Sequence, residues 1–238
     1  MSKYEKNIEN LAIIPARIGS KRIKKKNIKK FYGKPILELT YETVKKSKIF
    51  DKIILSSDSH EILILGKKIG FDILIKRPKR LSDNYTGTTP VIKHAINFLS
   101  HNFKIKNVCC VYPCNPLIFI SDLKKAYSLL KKNNNNFIFP ITSYSHPIER
   151  SFYYNNLNNK IIFNNKNYLS TTRTQDIKKK FHDAGQFYFS SSKTWLDMNK
   201  AVFRGIDIPN WRAIDIDNIE DWKRAEIIFR YLKEKSIR

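Results

Sequence analysis

The sequence predicts an α/β protein built on a doubly wound, mostly parallel sheet, in one domain of 238 residues. Two observations predict it. Short apolar runs alternate with segments whose apolar residues recur at helical spacing, and such alternation implies crossover connections with helices on both faces of a sheet. Polar clusters also follow the apolar runs, at 16–27, 56–59, 77–89, 113–116 and 215–217. In an open α/β sheet the carboxyl ends of the strands form one ligand-binding edge, so these clusters are expected to converge.

The elements follow in order. Leu11-Ala12-Ile13-Ile14 reads as a buried strand stopped by Pro15, which cannot donate to a ladder. A helix is expected over 35–44, with Pro35 in its first turn. Residues 52–56 form a second buried strand that runs into Ser56-Ser57-Asp58-Ser59, a turn of helix-capping types. A helix over 61–69 closes on Gly70, and 71–75 is a short third strand. Arg77-Pro78 opens a hydroxyl-rich loop over 79–90, followed by a helix over 91–99 and a strand over 107–112. Ser121 is expected to cap a helix over 122–131, and 137–142 to form the next strand.

From His146 to about Phe189 the pattern changes to short aromatic runs between Asn-rich turns, which predicts a hairpin excursion over about 146–189. Residues 187–189 return as a strand, and 191–198 as a short helix. Residues 211–217 are expected as the last strand. A closing amphipathic helix over 219–233 would bury Trp222, Ala225, Ile228, Phe229 and Leu232.

The first polar cluster carries the most chemistry. Within a dozen residues of the first strand stand Ala16, Arg17, Gly19, Ser20, Lys21, Lys26 and Asn27. A glycine admits close approach of the backbone, successive N–H groups form an anion nest, and cations add charge-assisted bonds to phosphate oxygens. The pattern is neither the Walker loop nor the three-glycine dinucleotide fingerprint. It reads as a triphosphate-holding loop of another kind, or as a solvated basic turn. Asp215 and Asp217 would share one face of an extended segment and could meet a Mg²⁺ or another divalent cation together with phosphate oxygens. The same spacing also fits a solvent-facing pair with Asp217 capping the last helix. Arg77 and the hydroxyls of Ser82, Thr86 and Thr88 could read a base or ribose, or form a plain turn and helix cap. Arg173, Gln175 and His182 offer groups for a carboxylated, hydroxyl-rich ligand, although a lone histidine is more often structural.

Composition bounds the rest. Forty-five basic residues against 21 acidic ones give a net charge of +24. The lysines are scattered and no zinc-finger, arginine-rich or aromatic RNA-binding motif accompanies them, so nucleic acid is not an expected partner. The charge suits the steering of anionic substrates. Cys109, Cys110 and Cys114 lack metal or disulfide spacing and are expected as reduced core residues of a cytoplasmic protein. The polar N-terminus lacks a signal core, and no apolar run reaches the length of a membrane span, so no membrane partner is expected.

Taken together, Leu11-Ala12-Ile13-Ile14-Pro15-Ala16-Arg17, Gly19-Ser20-Lys21 and Lys26-Asn27 resemble the N-terminal signature of the acylneuraminate (CMP-sialic acid synthetase) cytidylyltransferases. The likeness runs on through Ser57-Asp58, Arg77-Pro78, Leu81-Ser82-Asp83, Pro116-Leu117, Asp215-Ile216-Asp217 and Ala225-Glu226, nearly the whole chain in order. Residues 83–88, 173–176 and 181–188 look most like the branch acting on pseudaminic acid. The resemblance implies a Rossmann-like nucleotidyltransferase fold and a reaction in which CTP and a nine-carbon acidic sugar give the CMP-sugar and pyrophosphate, with Mg²⁺. N-acetylneuraminic, legionaminic or 3-deoxy-octulosonic acid are the alternative acceptors, and a non-catalytic nucleotide- or nucleic-acid-binding relative is a further alternative.

The resemblance also assigns roles. Arg17, Ser20, Lys21 and Lys26 would hold the triphosphate; Asn27, Arg77 and a hydroxyl of Thr86 or Thr88 would read cytosine and ribose; Asp215 and Asp217 would bind Mg²⁺. Arg173, Gln175, Phe181 and His182 would face the sugar acid, and the excursion would serve a homodimer and cover the partner's sugar site. The chain departs from the family pattern at Tyr112-Pro113-Cys114-Asn115-Pro116, where Gln-Pro-Thr-Ser-Pro is usual, at Ile18 in place of a glycine, and at Lys24 and Lys25.

Overall fold

The computed structural model describes residues 6–83, 85–164 and 173–235. The strands among them are β1 (Lys6–Pro15), β2 (Lys30–Phe31), β3 (Lys34–Pro35), β4 (Lys52–Ser57), β5 (Ile73–Lys76), β6 (Phe103–Val111), β7 (Asn136–Ser143), β8 (Phe152–Asn155), β9 (Lys160–Phe163), β10 (Phe181–Asp183), β11 (Phe187–Ser191) and β12 (Val202–Asp207). The helices are α1 (Ile36–Lys46), α2 (His60–Ile69), α3 (Thr88–Leu99), α4 (Ile120–Lys132), α5 (Ser192–Leu196) and α6 (Ile219–Glu234).

The described residues form an eight-stranded sheet in the order β10-β7-β11-β6-β1-β4-β5, with β12 also paired to β7. The pairs β6–β1, β1–β4, β4–β5 and β12–β7 are parallel, whereas β11 runs antiparallel to both β6 and β7. The mostly parallel, doubly wound expectation holds, with β11 and β10 as the antiparallel exceptions. Alternation along β1 shows why helices cover both faces. Ala12 and Ile14 pack with Leu37, Tyr41, Ile62, Leu123 and Ala126 of α1, α2 and α4. Leu11 and Ile13 pack on the other face with Ile92, Ala95 and Ile96 of α3 and Trp195 of α5. A third cluster sets α6, through Trp222, Ala225, Phe229 and Leu232, against Phe31, Leu117, Ile214 and Ile216.

Most helix ends follow the local chemistry. Ser59 caps α2, and Gly70 ends it at φ 100°, a left-handed conformation that only glycine enters cheaply. Asn218 caps α6 in a capping box with Asp221, so Asp217 is not the cap. Three expected boundaries move. Pro35 precedes α1 as its N-cap instead of sitting inside its first turn. Gly87 precedes α3, which takes in Thr88, Thr89 and Pro90. Phe119, not Ser121, stands before α4, and no side chain caps it.

Residues 211–217 are not a strand. They form a 3-10 turn, Asn210–Arg212, followed by extended chain without ladder partners. β7 is closed to it on both sides, by β12 along Asn136–Ile141 and by β10 along Ile141–Ser143. The strand that takes this place, β12, was masked in the sequence by Gly205, whose position allows close passage of Ile141: a Cβ there would lie 2.4 Å from its Cδ1. The excursion contains the expected hairpin, β8–β9, with Phe152 opposite Phe163. The chain is back in the main sheet by Phe181, earlier than the expected return at 187.

Candidate active site

The carboxyl ends of β1, β5 and β6 open onto one cleft of about 450 Å³. Its lining includes Arg17, Gly19, Ser20, Lys21, Arg22, Lys26 and Asn27 from the loop after β1 and Arg77 after β5. Thr86, Gly87 and Thr88 at the start of α3, Tyr112–Asn115 after β6, and Asp215 and Asp217 complete it. The basic N-terminal loop and the late aspartates therefore face the same space. Direct contacts join them: Arg22 Nη2 lies 2.8 Å from Asp217 Oδ1, and Lys26 Nζ lies 3.7 Å from the same oxygen. Lys26 Nζ also donates to the Ile216 carbonyl.

The loop is braced from behind. Asn27 Nδ2 donates to the Arg17 carbonyl at 2.7 Å, and Asn27 Oδ1 accepts from Cys114 Sγ at 2.9 Å. Its amide thus holds the loop in shape while the residue lines the cleft. Ala16 is fully buried and donates its N–H to the Ser56 carbonyl, so it anchors the loop without lining the cleft. Asp58 joins the support by accepting from the Ile18 N–H and standing 4.0 Å from the Arg77 guanidinium. Arg17 donates to the Asp83 carbonyl at 2.7 Å, tying the loop to the segment before α3. A Cβ at Gly19 would meet no protein atom within 4 Å, so packing does not demand this glycine. Gly19→Ala is expected to leave stability within about 1 kcal/mol of the parent while raising the KM for a triphosphate whose oxygens approach that backbone. Thermal melts and initial rates check both parts.

Arg77 is 5% exposed and donates Nε–H to Ser82 Oγ at 2.9 Å. Burial lowers its pKa from the ordinary guanidinium value, with Asp58 opposing that shift and Arg17 adding to it. Thr88 Oγ1 shares a hydrogen bond with Tyr112 Oη at 2.8 Å, and Thr86 Oγ1 donates to the Arg80 carbonyl at 3.3 Å. Burial, then the negative charge of Asp217, raises the Asp215 carboxyl; Lys26 and Arg22 pull it back. Among the described residues no group of three or more His, Cys, Asp or Glu could hold a metal ion. A cation here would need ligands beyond these two carboxylates.

Sequence reasoning left Tyr112, Cys114 and Asn115 without roles. Their signal was position, directly after a buried strand. Asn115 Nδ2 donates to the Gly185 carbonyl at 3.0 Å and so links the cleft wall to the β10–β11 turn. Burial pushes the Cys114 thiol up to about 12, with Lys26 opposing and Asp215 reinforcing the shift. At pH 8 its thiolate fraction is on the order of one in ten thousand. Cys109 and Cys110 are fully buried and raised as well. Native protein is therefore expected to resist iodoacetamide at pH 8 and to label at all three cysteines once unfolded, which mass spectrometry reads directly.

The residues expected to face a sugar acid do not line this cleft. Arg173 and Gln175 lie at the 3-10 turn Thr174–Asp176, and Phe181 and His182 lie on the edge strand β10. Phe181 is 44% exposed, and the His182 ring packs 4.7 Å from that of Tyr144.

An open α/β sheet with a cationic loop at its carboxyl edge frames a site for an anionic ligand, and the family match makes the chain a nucleotidyltransferase. The chain belongs to the cytidylyltransferase family, which it matches over residues 11–235. It is 41% identical to a pseudaminic acid cytidylyltransferase of Campylobacter jejuni over 233 residues, covering 96% of this chain and all of that one. It is 34% identical, over 91% of its own length, to 41% of a Helicobacter pylori protein named pseudaminic acid cytidylyltransferase and UDP-2,4-diacetamido-2,4,6-trideoxy-beta-L-altropyranose hydrolase. CMP:2-keto-3-deoxy-manno-octonic acid synthetase complexed with CTP shares the fold at a TM-score of 0.67 and 11% identity, with 94% of this chain and 99% of that one covered. No helix among the described residues is long and apolar enough to cross a membrane.

Proposed function

We propose that this enzyme transfers CMP from CTP to the anomeric hydroxyl of a nonulosonic acid, pseudaminic acid before others, and releases pyrophosphate. The juxtaposition of the loop 17–27 with Asp215 and Asp217 in one cleft carries the reading. The hydroxyl oxygen attacks the α-phosphorus, the new P–O bond forms as the bond to the pyrophosphate oxygen breaks, and the hydroxyl proton leaves to solvent or to a carboxylate. Such a transfer asks the protein for positioning and charge stabilisation more than for covalent chemistry. Arg17, Ser20 and Lys21 hold the β- and γ-phosphates. Lys26 draws the aspartate loop to the phosphate side. Arg77 and Thr88 border the nucleoside end.

The donor set fits a divalent cation. Two carboxylates supply hard oxygens, and a positive charge beside them offsets both the burial and the Asp217 repulsion that raise Asp215. When bound, Mg²⁺ screens phosphate charge and lowers the pKa of an oxygen on it; Asp215 and Asp217 would be its protein ligands.

A homodimer completes the reading. The hairpin β8–β9 exposes Phe152, Tyr153, Tyr154, Ile161 and Ile162, far more apolar surface than a solvated hairpin needs. Arg173, Gln175, Phe181 and His182 lie off their own chain's cleft, which suits residues that cover a second chain's acceptor site. The thiols and the acidic, charged substrates fit a cytoplasmic enzyme. A pyrophosphate-release assay with CTP, Mg²⁺ and a panel of pseudaminic, legionaminic, N-acetylneuraminic and 3-deoxy-octulosonic acids tests the reading. The highest kcat/KM is expected with pseudaminic acid. A preference for another acid would reassign the acceptor, and no release with any of them would refute the activity.

A further inference from the structure

The two cleft aspartates ride on chain that no strand pairs with, yet their placement is definite. Side chains alternate along this extended stretch. Arg212, Ile214 and Ile216 point inward at 5%, 4% and 1% exposure, while Asp215 and Asp217 point to the cleft. The isoleucines pack in the cluster of Phe31, Trp222 and Phe229, which sets the parity: a one-residue slip would drive both carboxylates into that core. They do not set the register alone. A two-residue slip that puts Asp217 where Asp215 stands puts Ile216 in Ile214's place, and the only polar side chain it sends into the cluster is Asn218, in Ile216's place.

Arg212 is the inward residue that opposes the longer slip most strongly, because the slip would set Ile214 in its place and leave the buried Asp122 carboxylate unpaired. Its Nη1 donates to Asp122 Oδ2 on α4 at 2.6 Å, and its guanidinium carbon lies 4.0 Å from the centre of the Phe119 ring. Its carbonyl accepts from Gln186 Nε2 at 2.9 Å. Both side chains of the ion pair are nearly buried, 6% exposed for Arg212 and 11% for Asp122. A buried ion pair is weak support for stability but a strong device for fixing register, because its charges tolerate no apolar partner. The other end of the stretch is held separately, by Asp221 Oδ2 accepting from the Asp217 and Asn218 N–H groups.

We propose that the Asp122–Arg212 pair, backed by Phe119 and Gln186, is a positioning device: it sets the register in which Asp215 and Asp217 meet the nucleotide-bound cation. The inference rests on the reading of those aspartates given above. Neither residue touches substrate, so the test must separate positioning from folding. The double variant Arg212→Met with Asp122→Leu replaces the pair by apolar side chains, a change that commonly preserves stability. Arg212→Lys, which keeps the charge and loses the planar fork, is measured beside it.

Manganese is titrated by electron paramagnetic resonance in the presence of CTP, without sugar acid, so that no turnover occurs. The wild-type chain is expected to bind the ion. The apolar pair is expected to melt within a few degrees of wild type yet bind manganese at least ~10-fold more weakly, with kcat reduced and the Kd for metal-free CTP unchanged. Arg212→Lys is expected to fall between. Manganese binding within twofold of wild type in the apolar pair would overturn the proposal. So would binding losses that merely track loss of melting temperature across the variants. Should the apolar pair not fold, Arg212→Lys is judged by the same criteria. Failure of the wild-type chain to bind the ion would instead refute the metal assignment itself.

Discussion

Asp217→Asn is expected to reduce turnover by roughly 10²–10³-fold or more while the fold survives within about 1 kcal/mol. The two halves of that expectation have separate causes. The side chain is 37% exposed; its nearer partner Arg22 is well exposed, and Lys26, which is also tied to the Ile216 carbonyl, stands 3.7 Å away. Ion pairs of that kind contribute about 0–1 kcal/mol to stability. In turnover the same carboxylate has no substitute. Asparagine keeps the shape and an acceptor oxygen but loses the charge that offsets a polyphosphate-bound cation. Circular dichroism melts and pyrophosphate release measured side by side check the pair of claims. Near-normal turnover would show that the aspartate is a solvated rim residue.

Trp222→Ala should strike the fold and reach the site through it. The ring is 3% exposed, lies edge-on to Phe31 at 5.2 Å between centroids, and packs in the cluster that holds Ile214 and Ile216. Truncating a buried aromatic costs about 3–5 kcal/mol, and at about 2–4 °C per kcal/mol for a domain of this size the melting temperature should fall by roughly 6–20 °C. Asp215 and Asp217 sit on the chain this cluster supports. At a temperature where the variant is still folded, its Kd for CTP with Mg²⁺ should therefore weaken more than its Kd for CTP alone. Equal weakening of both would show that the cluster supports α6 without ordering the aspartates.

Much of this was legible in the residues because period and punctuation agree. Along β1 the apolar run and Pro15 point to one buried strand, and Gly70 marks the end of α2 without help from the tertiary structure. The convergence of loop 17–27 and Arg77 followed from their places after apolar strands, whereas the aspartates reach the same cleft on a stretch that is no strand. What could not be read was set by distant competition. Residues 211–217 alternate like a strand, and the structure keeps the alternation, but β12 and β10 close both sides of β7. The bracing of Asn27 could not be read either, because nothing in the sequence shows that its amide meets the Arg17 carbonyl and the Cys114 thiol. Arg212 drew no notice at all: its partner Asp122 is 90 residues away, a distance over which sequence patterns carry no signal.

The central claim is that the N-terminal cationic loop and Asp215 with Asp217 bind one and the same CTP. Calorimetric titration of CTP, with and without Mg²⁺, into the wild-type chain, Lys21→Ala, Asp215→Asn and the double variant tests it most directly. One site per chain is expected, tighter with Mg²⁺. Each single change should weaken the Mg²⁺-dependent binding, and the double variant should lose less than the two losses combined, because both act on one ligand. Strictly additive losses, or CTP binding that neither substitution alters, would contradict the account.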